Sequence, residues 1–467
     1  MISVDALPDD VLIAIFDQYV NGDDHGPINM GREWQSLVHV CRRWRSIVFG
    51  SPRHLKLQLV CTERTPARDM LDVWPALPLA IWGFRILGGV DNIIAALQRR
   101  ERVCQIALLY VQSSDLVIYL EALQQPFPEL TRLFFHVHET VPVVPDSFLG
   151  GSAQRLEYLL LEGIPFPGLP KLLLSATHLV DLHLFDIPHS GYISPDVMVT
   201  ALSSLTSLSS FSLKFQSPRS CPDQASQRSP PSTRSVLPIL TRFRFKGVAE
   251  YLEGLVARID APRLSHLNIA LFNDITFDTP QFIQFISRSP TSREFEKSHF
   301  TIRNRDAGLR FSSQTSGNGN VYVEILCRGL DWQLSTLEQV CTSCLPPLSM
   351  LEDLYTYEDR DSQPDWKDDI ENGLWLQLLH SFTAVKNLHL SEELARRIGP
   401  ALQELVEDRT MEVLPALRNI FLEGLESSGP VQEGIGKFVA ARQVASHPIA
   451  VSSWANPDRD KVSYYGA

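Results

Sequence analysis

The strongest constraint on the fold is an apolar pattern, L-x-x-L-x-L, that recurs along most of this 467-residue chain. Its last two apolar residues are two positions apart, as the inward-facing residues of a short strand are. The middle apolar residues of the ten copies are Ile106, Leu133, Leu159, Leu182, Phe211, Phe243, Leu267, Leu354, Leu388 and Ile420. Their steps are 27, 26, 23, 29, 32 and 24 residues up to Leu267, then 87, 34 and 32.

A period of roughly 20–29 residues is typical of leucine-rich repeats, which hold one strand and one helix or turn per unit. One such unit cannot bury its apolar face alone, so neighbouring units must stack. The chain resembles leucine-rich repeats of the irregular kind, because the asparagine that ends the regular motif is missing. The predicted fold class is therefore α/β, an irregular solenoid with a curved parallel sheet and outer helices. Helices are expected at 90–100, 115–124, 197–204, 246–259, 280–288, 367–382, 392–407 and 431–445.

Two segments interrupt the repeat. Residues 308–326 predict a hairpin, because an Asn-Gly pair at 318–319 joins two apolar-alternating stretches. Residues 216–235 are rich in Pro, Ser and Arg and predict a disordered insertion. Its two Ser-Pro pairs, at 217–218 and 229–230, could be phosphorylation sites or parts of an inert loop.

Two short amphipathic helices are predicted before the repeats, within residues 7–48. Pro8 suits a first helical position, and Asp9 and Asp10 follow where the helix dipole favours negative charge. Large apolar residues then fall on helical stripes, which are Val11, Leu12, Ile15, Phe16 and Tyr19, and Trp34, Leu37, Val38, Cys41, Trp44 and Val48. So few residues cannot form a core alone, which implies that the helices pack against something else.

The pairs Leu7-Pro8, Val11-Leu12 and Ile15-Phe16, followed by V-C-R-R-W-R from Val40, resemble the F-box. The loop at 21–31 is longer than in the compact motif. The resemblance implies docking onto the Skp-family adaptor of cullin-RING ubiquitin ligases. The implied adaptor-binding residues are Leu7, Pro8, Leu12, Ile15, Phe16, Val40, Cys41 and Trp44. The alternative is a helical hairpin that only caps the repeats.

These features predict four parts of the chain. They are an F-box at 1–50, a connecting segment with the first repeat at 51–101, the repeat domain at 102–452 and a tail at 453–467. The net charge of −12 and the pI of about 5.6 argue against sequence-independent nucleic-acid binding. The sequence carries no signal peptide, membrane span or disulfide framework, which favours an intracellular protein of the cytoplasm or nucleus.

The sequence offers little chemistry for catalysis. Cys341 and Cys344 form a lone CxxC without a second pair at zinc spacing, and His136 and His138 lack a third ligand. Nucleotide-binding and hydrolase motifs are missing from the appropriate strand–turn–helix settings. We therefore expect no enzymatic activity, no cofactor and no metal.

Residues that flank the middle apolar positions point to the opposite strand face, which lines the concave side of a solenoid. They mix aromatic and charged side chains, as protein-recognition surfaces do. The predicted target-binding residues are Phe134, His136, Tyr158, His183, Phe185, Arg242, Arg244, His266, Tyr355, His389 and Phe421. The sequence thus predicts a substrate receptor of an SCF-type ubiquitin ligase, whose target is a protein. The alternative is a leucine-rich-repeat scaffold that is not coupled to ubiquitin ligation.

Overall fold

A computed structural model describes most of the chain. The described residues are 7–21, 33–52, 54–73, 76–84, 89–137, 141–221, 234–272, 279–289, 297–303, 306–312, 320–326, 330–344, 348, 351–358, 372–405, 407–424 and 430–455. Over these residues the protein is α/β, with mostly parallel strands and with helices between them. The chain divides into two compact units, a first of residues 1–193 and 200–208 and a second of residues 194–199 and 209–467.

The first unit begins with three helices, α1 (Asp9–Asn21), α2 (Glu33–Val40) and α3 (Arg42–Gly50). The prediction of one helix across 34–48 is wrong, because Cys41 interrupts the helix and separates α2 from α3. This residue is extended, with φ −155°, and its Sγ accepts a hydrogen bond from the Trp44 amide at 3.4 Å. Cys41 therefore caps α3 at a point where the apolar periodicity runs on without interruption.

The rest of the first unit alternates strands with helices. Its elements are β1 (Leu59–Thr62), α4 (Ala67–Met70), β2 (Leu79–Phe84), α5 (Val90–Leu97), β3 (Val103–Leu109), α6 (Ser113–Ala122), β4 (Arg132–His136), β5 (Tyr158–Glu162), α7 (Leu169–Leu173) and β6 (Asp181–Ile187). Each strand pairs in parallel with the next. The register sets the predicted middle residues side by side in one buried row of Ile106, Leu133, Leu159 and Leu182.

The second unit continues this alternation, and α8 (Pro195–Leu202) is shared between the units. Its other elements are β7 (Ser210–Phe215), β8 (Ser235–Val236), β9 (Arg242–Gly247), α9 (Ala249–Val256), β10 (Ile259–Asp260), β11 (His266–Phe272), α10 (Pro280–Arg288), β12 (Lys297–Ile302), β13 (Ala307–Ser312), β14 (Asn320–Leu326), α11 (Leu330–Gln339), β15 (Asp353–Glu358), α12 (Asn372–His380), β16 (Asn387–Leu390), α13 (Glu392–Gln403), β17 (Asn419–Glu423), α14 (Pro430–Val444) and β18 (Ala450–Trp454). The strand order among the described residues is β7-β9-β11-β14-β13-β12-β15-β16-β17-β18, and β8 pairs with β10.

An antiparallel insertion interrupts the parallel order. Strand β13 runs antiparallel to both β14 and β12, while β14 is parallel to β11 and β12 is parallel to β15. The predicted hairpin over 308–326 is confirmed as β13 and β14, and its turn at 313–319 lies outside the described residues. Strand β12 was not predicted. Three inserted strands allow both flanking pairings to stay parallel, whereas two would leave one of them antiparallel.

In the second unit, one face of the sheet packs on helices. Phe243 lies 6.2 Å from Phe285 of α10, Phe245 lies 5.9 Å from Tyr251 of α9, and Phe300 lies 6.4 Å from Trp375 of α12. Because successive side chains alternate across a strand, the intervening residues lie on the opposite face, which we call the non-core face. In the first unit the same term denotes the face opposite the row of Ile106 and Leu133.

Several predicted bounds need correction. Residues 216–221 of the predicted disordered insertion are described, with a short 3₁₀ turn at Pro218–Ser220 and a buried Cys221, whereas 222–233 lie outside the described residues. The predicted tail begins too early, because β18 extends to Trp454. Helices α7 and α11 were missed. Within the described part of the chain, no helix has the length and apolar character needed to cross a membrane.

Candidate interaction surfaces

Helices α1 to α3 enclose an apolar core of their own. Leu12 and Phe16 are each 1% exposed, and the Phe16 ring centroid lies 4.7 Å from that of Trp44. Trp34 and Val48 are buried in the same helices. Both side chains are therefore covered by the chain itself in this conformation, and their contact with an adaptor stays a prediction.

Polar contacts fix the first helix against the third. The Arg43 guanidinium donates to the Asp9 carboxylate at 2.6 Å and to the Leu7 carbonyl at 2.5 Å. Arg45 donates from its Nε to the Val38 carbonyl at 2.9 Å, which joins α3 to the end of α2. Such partly exposed ion pairs contribute little stability, so their effect is mainly to set the orientation of the helices.

The second helix is attached to the start of the sheet. The Trp34 indole N–H donates to the carbonyl of Gln58, directly before β1, at 2.9 Å, and its ring lies 5.9 Å from that of Phe49. A buried Trp usually needs a partner for its N–H, and here a backbone carbonyl provides it. The helices are therefore joined to β1 by a side-chain contact as well as by the chain.

An exposed apolar stripe runs along α1. Ile15 is 49% exposed and Tyr19 is 53% exposed, and Val11 lies one turn before Ile15. We call Val11, Ile15 and Tyr19 the α1 stripe. Residues four positions apart share a helix face, so the three residues of the α1 stripe form one row. The next residues in the sequence, Leu12, Phe16 and Val20, form the neighbouring row, which is buried. The sequence pattern placed both rows on one stripe and could not separate the buried row from the exposed one.

The other predicted adaptor-binding residues differ in exposure. Pro8 and Val40 are exposed, whereas Leu7, Cys41 and Trp44 are partly buried. Val11 and Tyr19, although part of the predicted amphipathic stripe, were not among the predicted contacts. Large apolar side chains that share one exposed face are typical of a surface that a partner covers.

On the non-core face of the first unit, the predicted target-binding residues form ring contacts. His136 lies 4.4 Å from Tyr110, Tyr158 lies 4.4 Å from Phe134 and 5.3 Å from His183, and His183 lies 5.7 Å from Phe185, as centroid distances. Phe134 is buried under this layer, and its contact with a target stays a prediction. The other four side chains are partly exposed.

The expectation that His136 and His138 hold no metal ion stays a prediction. His136 Nε2 lies 3.6 Å from the Glu162 carboxylate, and His138 lies outside the described residues. Among the side chains that the structure describes, no group of three or more His, Cys, Asp or Glu residues is placed to hold a metal ion. Cys341 is buried in the π-helical turn after α11, and nothing is described of the Cys344 side chain.

A cluster of positive charges lies on the non-core face of the second unit. It consists of Lys214 on β7, Arg242, Arg244 and Lys246 on β9, and Arg310 on β13, which we call the basic patch. The register places Lys214 beside Lys246, while His266 of β11 lies beside Arg242. Burial and the three neighbouring arginines lower the pKa of His266. The arginines therefore disfavour a further positive charge on His266.

Glu324 belongs to β14, which lies between the patch strands β9 and β13 in the sheet order. Of the described non-core positions on β7, β9, β11, β14 and β13, Glu324 is the one acidic residue. Burial and Asp306 raise its pKa, while Arg303, Lys246 and Lys214 act in the opposite direction. Asp306 is itself paired with Arg303 at 3.0 Å. Among these described strand positions, the patch therefore combines five cationic side chains with one carboxylate.

Stacked rings lie on the same face beyond the basic patch. His299, Tyr355, His389 and Phe421 come from β12, β15, β16 and β17, and we call them the ring ladder. Successive centroids are 4.7, 4.1 and 4.4 Å apart and the rings lie within 14° of parallel. Trp454 of β18 lies 5.1 Å from His389. His389 is buried and its contact with a target stays a prediction, whereas Tyr355 and Phe421 are partly exposed.

Sequence reasoning missed several residues of these surfaces. Arg310 and His299 belong to β13 and β12, whose faces could not be assigned before the insertion was known. Trp454 fell in the predicted tail. Lys214 follows the L-x-x-L-x-L pattern at Leu213 and could have been found by extending the same alternation by one residue. Compared with known proteins, the chain matches no family model and no curated relative.

Proposed function

We propose that this protein is the substrate-recognition subunit of an SCF-type ubiquitin ligase. Its N-terminal helices would bind a Skp-family adaptor that is joined to a cullin, and its repeat-like sheet would hold a target protein. The observation that carries the proposal is the α1 stripe, which exposes three large apolar side chains on a helix with a separate buried face.

The arrangement of the three helices supports a binding role for the stripe. Leu12, Phe16 and Trp44 provide an internal core, so Val11, Ile15 and Tyr19 are not needed to hold the helices together. Burying an apolar side chain fully stabilises by about 1.5–3 kcal/mol, so covering half-exposed residues such as Ile15 and Tyr19 would contribute about 1 kcal/mol each. Exposed Pro8 and Val40 would extend the contact.

In this mechanism the chain performs no chemistry. A target on the non-core faces would lie at a fixed place in the assembled ligase, and the cullin-bound partners would transfer ubiquitin. Holding a target lysine near the conjugating enzyme raises its effective concentration and converts a bimolecular encounter into a nearly unimolecular step. The binding free energy of the target then sets which protein is modified.

One observation favours the second candidate, a leucine-rich-repeat scaffold without a ligase. The hydrogen bond from Trp34 to the Gln58 carbonyl joins α2 to the start of β1, as a terminal cap would be joined. In that case the α1 stripe would have no adaptor to bind. The two candidates differ in one measurable property, which is binding of the adaptor through Ile15 and Tyr19.

The test is co-purification and calorimetric titration of the full chain with a recombinant Skp-family adaptor. The variant is Ile15→Asp/Tyr19→Asp, and the matched control is Val117→Asp/Ile118→Asp, two residues of α6 that are 43% and 44% exposed. We expect the wild type and the control to bind alike, and the stripe variant to lose at least about tenfold in affinity, since two charges replace two apolar contacts. All three chains should keep the same circular dichroism spectrum.

Two outcomes would contradict the proposal. If the folded wild type does not bind the adaptor, the ligase function fails and the scaffold remains. If the wild type and the stripe variant bind the adaptor equally well, the adaptor contacts another surface. The α1 stripe then does not support the proposed function.

A further inference from the structure

The basic patch concentrates positive charge in a protein whose net charge is −12. Arg242 and Arg244 are exposed, and Lys246 approaches the Phe272 ring at 5.9 Å. Lys214 and Arg310 extend the charge to neighbouring strands of the same sheet. A local positive field on an acidic protein attracts a negatively charged partner to one place and repels it elsewhere.

The spacing of the charges indicates the form of that partner. Arg242, Arg244 and Lys246 occupy alternate positions of β9, so consecutive cations are spaced at about 6.6 Å, two residues of a strand. An extended peptide has the same distance between alternate side chains. Acidic residues at every second position could therefore face two arginines at once, and an arginine can bind a carboxylate with two parallel hydrogen bonds.

The neighbouring ring ladder argues against a nucleic acid as the partner. Proteins that bind single strands use exposed aromatic faces on which bases stack. In the ring ladder the faces of Tyr355 and His389 are each covered by the next ring, at centroid distances of 4.1 to 4.7 Å. The rings thus present edges to a ligand, which suits peptide side chains better than bases.

From these features we infer that the basic patch binds an extended acidic segment of a target protein, with carboxylates at alternate positions, through Arg242 and Arg244. As a statement about a ligase target, this inference rests on the proposed function. The binding itself needs no adaptor. If the chain binds an acidic peptide but no adaptor, this inference stands and the ligase function fails. If it binds the adaptor but no acidic peptide, the ligase function stands and this inference fails.

The test is a fluorescence anisotropy titration of the full chain at low ionic strength with three labelled synthetic peptides. The first has aspartates at alternate positions separated by serines, the second has the same aspartates in one contiguous run, and the third has asparagines in place of the aspartates. The variant is Arg242→Glu/Arg244→Glu. The control, Arg263→Glu/Arg418→Glu, changes two exposed arginines of the second unit outside the basic patch and has the same net charge as the variant.

We expect the alternating peptide to bind the wild type and the control alike, and the patch variant to bind about tenfold more weakly or worse. The contiguous peptide should bind about threefold more weakly than the alternating one, and the asparagine peptide should not bind. Equal losses in variant and control would overturn the inference, because net charge alone would explain them. Equal binding of the two acidic peptides, no binding of either, or tighter binding of a single-stranded DNA through the same arginines would also overturn it.

Discussion

The rings of Phe16 and Trp44 lie 4.7 Å apart and join the first helix of the protein to the third. Phe16 is 1% exposed, while its neighbour in the sequence, Ile15, is 49% exposed. These two adjacent residues of α1 therefore differ in their surroundings, since Phe16 lies in the core of the three helices and Ile15 lies on their surface.

This contrast predicts the effect of shortening each side chain. Phe16→Ala should destabilise the three helices by about 3–5 kcal/mol, because it removes a buried aromatic side chain and leaves a cavity. Ile15→Ala should cost less than about 1 kcal/mol. Hydrogen–deuterium exchange of peptides from residues 9–21, read by mass spectrometry, reports on α1. Equal loss of protection in both variants would contradict the separation of core and surface.

Gly163 allows a second prediction. It follows β5 with φ +72°, and a Cβ at this position would lie 2.3 Å from the Val137 carbonyl oxygen. Gly163→Ala should therefore lower the free energy of unfolding by about 2 kcal/mol or more. Gly436 in α14 is the matched control, since a Cβ there meets nothing within 4 Å, and Gly436→Ala should raise stability by about 0.5–1 kcal/mol. Thermal unfolding compares the two, and a stable Gly163→Ala would contradict the geometry.

The strands could be predicted from the sequence because burial imposes a period of two on them. Every middle residue of the ten L-x-x-L-x-L copies falls in a strand, from Ile106 in β3 to Ile420 in β17. Strand β12 was missed although its apolar residues Phe300 and Ile302 alternate with polar ones. The need for this strand comes from the number of strands in the insertion, which must be three for both flanking pairings to be parallel. That number depends on neighbouring strands that are distant in the sequence.

The surfaces were harder to predict because residue type does not separate a covered ring from an exposed one. Phe134 lies on the non-core face as predicted but is buried, and Tyr158 stacks on it. The break at Cys41 was missed for a similar reason, since a thiol is a weak acceptor and an unusual helix cap. Both cases depend on contacts that a one-dimensional pattern does not contain.

His389 gives the protein a predicted pH dependence. Burial, with a smaller effect of Lys297, lowers its pKa from 6.5 to about 4, against the opposing effect of Asp353. The folded state therefore contains the neutral imidazole of His389. Above pH 6.5 the unfolded state is neutral at this residue as well, so the protonation of His389 does not reduce the free energy of unfolding there. As the pH falls towards 4, the unfolded state binds a proton that the folded state does not. Stability should fall by about 2 kcal/mol between pH 7.5 and pH 5 from this group.

Thirteen histidines contribute to the pH profile, so the effect must be measured as a difference. His389→Phe keeps a ring between Tyr355 and Phe421 and removes the titrating group. His54→Phe, at an exposed position, is the matched control. Urea unfolding at several pH values should show a flatter profile for His389→Phe than for the wild type or for the control. Parallel profiles for all three chains would contradict the prediction.

Arg442 provides the last prediction. It lies near the end of α14, is fully buried, and its guanidinium carbon is 5.3 Å from the centre of the Phe438 ring. Its Nη2 donates to the carbonyls of Val413, at 3.4 Å, and Leu414. Leu414 has φ +50°, a conformation that is costly for a branched side chain. The arginine thus satisfies carbonyl groups in a strained turn before β17, while burial lowers its own pKa.

Two substitutions separate the hydrogen bonds of Arg442 from its packing. Arg442→Met keeps most of the volume but loses the donors. The Val413 carbonyl then loses the side-chain donor that the structure gives it, while the Leu414 carbonyl keeps the Leu417 amide at 3.0 Å, and we expect a loss of about 1–2 kcal/mol. Arg442→Ala also leaves a cavity and should cost about 3–5 kcal/mol. Urea unfolding of the full chain measures both losses. If Arg442→Met is as stable as the wild type or more stable, the cost of burying the guanidinium cancels its contacts with the turn, as occurs for some buried ions. The expected order, with methionine between arginine and alanine, requires the hydrogen bonds to outweigh that cost.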